Sequence, residues 1–398
     1  MSHAGISKSF LAMFKETSVA YFFEIAGLLA GFLVAYQLGV FKLSPWALAL
    51  YPALISTKVI SGLLSGHLST ALHLGTIHPR FSGNTKSFYK LIDAVIVLTL
   101  ATSLSVSLIA LFLGYLFWGI TLADFSAILT VMLSTLAIGL FFSLLTIKMA
   151  FVTFKRGLDP DVIVYPIMST AVSIFITLCY ILVLNLFSFS YFGRLALIII
   201  GFVHVILVLY LLSKDRREAE FIKTLRESLV MMVFVALMVT ITGTVFRQIS
   251  IFAGERKEIY TIYPVLINLV SAVGLVVGST ASTKLALGLL SPSFSSIKNH
   301  AKNIFSAWGS SLIIFTVLAL ISIAVNQVFS LTNVIDFILI VWFSNVIAVV
   351  VISLLSFGIS ILTFKRGLDL DNFVDPVETS LAAIVTSIAL LLALLLII

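Results

Sequence analysis

Two stretches of this chain carry the same run of oxygen-bearing residues. The first reads Phe154-Lys155-Arg156-Gly157-Leu158-Asp159-Pro160-Asp161, followed by Pro166 and Ser169-Thr170. The second lies 210 positions later and reads Phe364-Lys365-Arg366-Gly367-Leu368-Asp369-Leu370-Asp371-Asn372, followed by Pro376 and Thr379-Ser380. Carboxylates, amides, hydroxyls and the carbonyls freed by an intrahelical proline are hard ligands, which suit Mg2+ or Ca2+ better than softer metals. The candidate ligands are Asp159, Asp161, Ser169 and Thr170 in one copy, and Asp369, Asp371, Asn372 and Thr379 in the other. A plainer alternative is structural. Gly157 and Gly367 would end one helix after a basic pair, and the aspartates would cap the next. Asp375 and Glu378 are a sharper pair, because three residues of separation puts them on one helix face. A carboxylate within a membrane is costly and usually functional; the alternative is that both sit in the wet headgroup layer. The first copy has Tyr165 and Met168 at these positions, so an acidic site there would be asymmetric.

The elements that must position these residues are membrane spans. The chain is 61% hydrophobic and 10% charged, against about 25% charged in soluble proteins. Several apolar runs exceed the roughly 20 residues that cross a bilayer. The expected fold is an all-α polytopic membrane protein with about eleven helices, near 18–41, 46–76, 91–118, 124–153, 161–187, 192–213, 228–252, 261–290, 303–328, 333–363 and 372–398. Lys and Arg gather in alternate loops, which places the N-terminus in the cytoplasm and the C-terminus outside the cell membrane. The net charge of +7 is accounted for by these loops. No aromatic-basic interleaving suggests nucleic acid. No phosphate loop or nucleophile motif suggests an enzyme. The first 15 residues lack the layout of a cleaved signal peptide, so the first span should stay as an anchor. Cys179 lies within a span and indicates neither a disulfide nor a metal cluster.

The repeat extends beyond the twin phrases. Tyr51-Pro52 matches Tyr263-Pro264, Gly62 and Gly66 match Gly274 and Gly278, and Ser69-Thr70 and Gly75 match Ser282-Thr283 and Gly288. Two five-helix repeats are expected, at 1–187 and 221–398, joined by a linker helix and cytoplasmic loop at 188–220. Five crossings and a linker bring the second repeat back the same way up. The repeats are then parallel, and the chain imitates a two-fold dimer. The glycine pairs read as close helix packing. Glu24 and Lys58 are further charges within spans, read either as an internal ion pair or as a relay. Lys284 could snorkel. His67 and His73 do not share a helix face and read as packed or hydrogen-bonded rather than as metal ligands.

The run Gly157-Leu158-Asp159-Pro160-Asp161 with Pro166, and its partner Gly367-Leu368-Asp369-Leu370-Asp371-Asn372 with Pro376, resemble the start of the last span of MgtE-type magnesium transporters. Leu68-Ser69-Thr70-Ala71 with Gly75, and Ser282-Thr283 with Gly288, resemble that family's second span. The tandem arrangement is similar to the animal solute-carrier branch, in which two membrane units are fused. The resemblance implies transport of divalent cations, foremost Mg2+, through a pore at the pseudo-two-fold interface. Asp375, Glu378 and the phrase residues would then replace part of the ion's water shell. It implies no cofactor beyond the transported ion, the lipid bilayer as surroundings, and a pseudo-dimer that can act as a monomer; in a departure from the family's bacterial branch, no soluble sensor domain is expected in the chain. The positions where the family usually carries a pore Asp are Ser173 and Ala383 here. The alternatives are a divergent member carrying another solute and a membrane scaffold that retains the fold without transport.

Overall fold

The computed structural model describes residues 10–56, 58–156, 160–366 and 370–397. Within these, the side chains of 12, 58, 59, 61–63, 65, 66, 160–167, 169, 220, 223, 227 and 370–376 lie outside the description. All regular structure among the described residues is helical. The helices are α1 (Phe10–Phe22), α2 (Leu28–Tyr36), α3 (Leu38–Phe41), α4 (Pro45–Ser56), α5 (Lys58–His73), α6 (Lys86–Phe117) and α7 (Phe125–Lys155). They continue as α8 (Pro160–Phe189), α9 (Tyr191–Asp215), α10 (Ala219–Ala253), α11 (Lys257–Ala286), α12 (Ile297–Val325), α13 (Leu331–Arg366) and α14 (Leu370–Ile397). Among the described residues, 10 helical runs are long and apolar enough to cross a membrane, and Pro45–Ser56 is a shorter apolar helix. The chain is therefore an all-α polytopic membrane protein. The second span expected from sequence, 46–76, corresponds to α4 and α5 on either side of residue 57. The first, 18–41, is a longer run in which a 3-10 turn, Phe23–Gly27, separates α1 from α2. Hydropathy did not announce that turn, which carries the buried Glu24. The side chain of Lys58 lies outside the described residues, so the expected Glu24–Lys58 pair does too.

The repeat is visible in how matched helices end and bond. Gly75 and Gly288 both take φ of +70°, a left-handed conformation that glycine adopts without a Cβ clash. Beyond each, a backbone amide turns back to the helix: Thr76 to the Ala71 carbonyl at 3.0 Å and Leu289 to the Lys284 carbonyl at 2.8 Å. This closes the last turn and satisfies carbonyls that the helix would otherwise orphan. Tyr51 Oη bonds Thr177 Oγ1 at 3.0 Å, and Tyr263 Oη bonds Ser387 Oγ at 2.7 Å.

By contact, the chain forms two units. One comprises residues 33–247. In it α7 packs on α6, α8 and α9, and α8 also packs on α4 and α5. Phe41, Tyr51 and Tyr180 form its aromatic centre, with Tyr180 Oη donating to the Ala47 carbonyl at 2.6 Å. The second half's opening helix, α10, contributes its residues up to 247 here. Thr244 Oγ1 accepts from Trp118 Nε1 at 3.1 Å, and Arg247 donates to the Phe117 carbonyl at 2.9 Å. Lys90, Asp93, Lys214 and Asp215 make a charge cluster in which Lys90 pairs with the fully buried Asp215 and Lys214 reaches Asp93 at 3.1 Å.

The other unit comprises residues 1–32 and 248–398, so the first span packs among second-half helices. These contact groups are a different partition from the sequence repeat. Thr17 Oγ1 meets Ser310 Oγ at 2.7 Å, tying α1 to α12. Helix α11 is the hub: 83% of its most apolar stretch is buried, against 28% for α9. Polar groups within that stretch of α11 that are buried, such as Asn268 and Ser271, face protein, whereas α9 has the exposure of a lipid-facing helix. Gly31 allows the first span to approach α11 closely, since a Cβ there would run into the Thr261 carbonyl. A backbone carbonyl cannot swing aside as a flexible side chain would. Gly31→Ala should accordingly lower stability in detergent by about 1–3 kcal/mol, the usual range for overpacking. The readout is the thermal unfolding midpoint. Gly39→Ala, where nothing lies within 4 Å of the added Cβ, should not lower it.

Candidate cation site

Helix α14 carries the sequence-predicted pair Asp375 and Glu378, of which Glu378 falls inside the apolar span Val377–Ile397. Of that pair, Glu378 is described and is 0% exposed; the side chain of Asp375 lies outside the described residues. Glu378 faces α11 and α13 within its own unit. Ser356 Oγ on α13 donates to its Oε1. Opposite, α11 offers Gly274 and Gly278. A Cβ on Gly274 would collide with Glu378 Oε1 and stand 2.9 Å from Ser356 Oγ, and one on Gly278 would stand 3.5 Å from Glu378 Oε2. The glycine pair read from sequence as helix-packing residues thus also makes room for a carboxylate.

Hydroxyls extend the polar seam. Ser360 Oγ donates to the Gly278 carbonyl at 2.9 Å and the Ser356 carbonyl at 2.8 Å. Thr379, which is buried, accepts from Ser271 Oγ at 3.4 Å. Further along α14, Ser387 donates to the Ala383 carbonyl at 2.8 Å and meets Tyr263. Three helices therefore bring together one carboxylate, several hydroxyls and backbone carbonyls in a setting sheltered from water. Low dielectric strengthens each interaction made to that carboxylate.

The first repeat lacks this carboxylate. Met168 occupies the position matching Glu378 and is buried, as are Thr170 and Ser173 in α8. Asp159 and Asp369 lie outside the described residues. So do the side chains of Asp161, Ser169, Asp371 and Asn372, and no geometry is assigned to them. Ala383 is fully buried.

Sequence reasoning missed Ser353, Ser356 and Ser360. Their spacing was the available signal, since residues three, four and seven apart share a helix face, and all three are buried. His73 bonds the Ser69 carbonyl at 2.9 Å and packs edge-on against Phe154, the role expected for it. No group of three or more His, Cys, Asp or Glu suited to a metal occurs among the described residues.

Comparison with known proteins gives one match. The family model MgtE, described as a divalent cation transporter, matches residues 52–183 and 263–393, which together make up more than half of the chain. The two matched segments follow the internal repeat. No curated protein and no solved structure matches.

Proposed function

Because the chain belongs to the MgtE family of divalent cation transporters, we propose that Mg2+ is its cargo and that Glu378 is the residue the ion meets inside the membrane. The membership and the apolar helices make the chain a multi-pass membrane transporter of divalent cations rather than an enzyme. The finer reading rests on one observation: a fully buried carboxylate hydrogen-bonded from Ser356 in a seam of hydroxyls.

Mg2+ sheds water reluctantly and keeps several waters when bound. A single carboxylate with neighbouring hydroxyls is suited to such a partly hydrated ion. It replaces a few waters and leaves the rest in place. One carboxylate cancels only part of a double charge, so the ion is held loosely enough to leave, as conduction requires. On arrival of the ion, Ser356 would turn its hydroxyl from donating to Glu378 to presenting a lone pair. Asp371, Asn372 and Asp375 in the first turns of α14, with Asp369 just before them in sequence, would collect the ion before it reaches Glu378. Asp159, Asp161, Ser169 and Thr170 would be the corresponding oxygen ligands of the first repeat.

The test is flux into proteoliposomes loaded with a Mg2+-sensitive dye. The expected result is Mg2+ entry that Mn2+ or Co2+ competes for and Na+ does not. Entry of an organic solute with no divalent flux would contradict the assignment.

A further inference from the structure

The unit containing Glu378 also holds a cavity of about 770 Å3 where α1, α11 and α12 meet. Its charge has the wrong sign for a cation route. Lys284, Lys298 and Lys302 line it, with Glu16 as the one acidic residue. A divalent cation would be repelled here, and an anion would be held. The volume lies within the usual range for a small-molecule site, about 300–1,000 Å3.

Lys284 is built in rather than loose. It sits near the end of α11, half-buried, and its ammonium donates to Asn303 Oδ1 at 2.7 Å and to His300 Nδ1 at 3.4 Å. His300 is fully buried and its Nε2 donates to the Val277 carbonyl at 3.1 Å. That bond places the ring proton on Nε2 and leaves Nδ1 to accept from Lys284. An ammonium has three donors, and two are thus committed, leaving the third for the cavity. No carboxylate among the described residues pairs with Lys284. Ser279 adds a hydroxyl on the same wall, Thr280 and Thr283 donate theirs to the Val276 and Ser279 carbonyls, and Leu287 and Leu289 add apolar surface beside them.

The internal repeat supplies a control. Lys298 and Lys302 stand 212 positions after Lys86 and Lys90 in matching stretches, Lys-Asn-His-Ala-Lys and Lys-Ser-Phe-Tyr-Lys. In the first copy the lysines are neutralised: Lys86 pairs with Glu218 at 2.8 Å, and Lys90 pairs with Asp215. In the second copy neither lysine has a carboxylate partner among the described residues. The same scaffold position is a closed ion pair in one repeat and an open cationic wall in the other.

We propose that this cavity binds a phosphate-bearing anion, either the headgroup of an anionic lipid or a soluble phosphate ester. Lys284 is the anchor, and Lys298 and Lys302 form the exposed rim. Basic pockets between membrane helices hold lipid headgroups by this combination of charge and adjoining apolar surface.

The experiment uses the full chain, wild type and the variants Lys284→Gln and Lys298→Gln/Lys302→Gln, with Lys365→Gln/Arg366→Gln as the control for a basic pair elsewhere. Lys298 and Lys302 are exposed, so their replacement tests the site without threatening the fold. In one arm, native mass spectrometry follows phosphatidylglycerol retained from mixed phosphatidylcholine nanodiscs. In the other, calorimetry in detergent follows glycerol 3-phosphate. Binding in either arm that falls about tenfold or more in the rim variant and persists in the control is expected, and the arm in which it occurs identifies the source. Binding in neither arm, or binding equally strong in wild type and the rim variant, would overturn the proposal. Mg2+ flux by the rim variant separates this site from the transport route, since the variant should carry Mg2+ as wild type does.

Discussion

Glu378→Gln should cut the initial rate of Mg2+ entry into proteoliposomes by about 100-fold, because even an outer partner of a metal ligand is worth 10–100-fold in metal affinity or activity. Glutamine keeps the shape of glutamate. Its amide oxygen can still accept from Ser356 Oγ, the partner of Glu378 Oε1. The space left by Gly274 and Gly278 stays filled. What disappears is the negative charge, and a neutral amide offers a doubly charged ion far less than a carboxylate. The variant should therefore elute and unfold like wild type while failing to transport. Adding Asp375→Asn removes the neighbouring carboxylate of α14 and should bring flux to background. A normal rate in Glu378→Gln would take this residue off the ion's route. A variant that transports poorly but also unfolds early would be uninformative alone, and Ser356→Ala guards against that outcome. It leaves the charge in place while removing one hydrogen bond, so it should weaken transport far less than Glu378→Gln.

The second large effect concerns stability. Lys90→Met should cost about 3–5 kcal/mol, the penalty for leaving one partner of a buried ion pair uncompensated. Asp215 is 0% exposed and Lys90 is 9% exposed in the pair, so the partner left behind starts out covered, with only the Asp93 and Lys214 side chains of the cluster beside it. The unfolding midpoint in detergent reports this. Replacing both partners, Lys90→Met with Asp215→Leu, should recover most of the loss, because two apolar groups carry no stranded charge. Lys302→Met changes the matching position of the other repeat and should shift stability by no more than about 0.5 kcal/mol, as exposed substitutions do. Equal losses from Lys90→Met and Lys302→Met would contradict the division of roles between the repeats.

Much of the architecture could be read from the chain itself. Apolar runs located the spans, and FKRGLD recurring 210 positions on announced the duplication. Gly75 and Gly288 were legible as matched positions of the repeat, and the structure shows both ending a helix in the same way. Three features stayed hidden for physical reasons. The 3-10 turn at Phe23–Gly27 lies in a run that is apolar on both sides of Glu24, and hydropathy does not distinguish helix types. Packing of the first span among second-half helices depends on which face meets which neighbour, and Gly31 reveals that only once the Thr261 carbonyl is seen beside it. The pairing of Lys90 with Asp215 spans 125 residues and has no local signature.

The site was legible in its charged member and illegible in its neutral ones. A carboxylate inside an apolar span stands out because burying it is expensive, which singled out Glu378. Serines cost little in a membrane helix, where a hydroxyl can bond its own backbone, as Ser360 does to the Ser356 carbonyl. Ser356 and Ser360 therefore look ordinary until their spacing is set against Gly274 and Gly278. Lys284 stood out as a charge near the end of a span, but Asn303 and His300 lie on the next helix. Only folding shows that they hold its ammonium toward an open cavity.

The most direct measurement is anomalous scattering from crystals of the full chain soaked in Mn2+, a surrogate of the same charge and ligand preference as Mg2+. The expected result is a peak within about 5 Å of the Glu378 carboxylate, close enough for direct or single-water contact, that is absent in Glu378→Gln. A transport-competent protein whose Mn2+ peaks all lie away from α14, unchanged in the variant, would contradict the account.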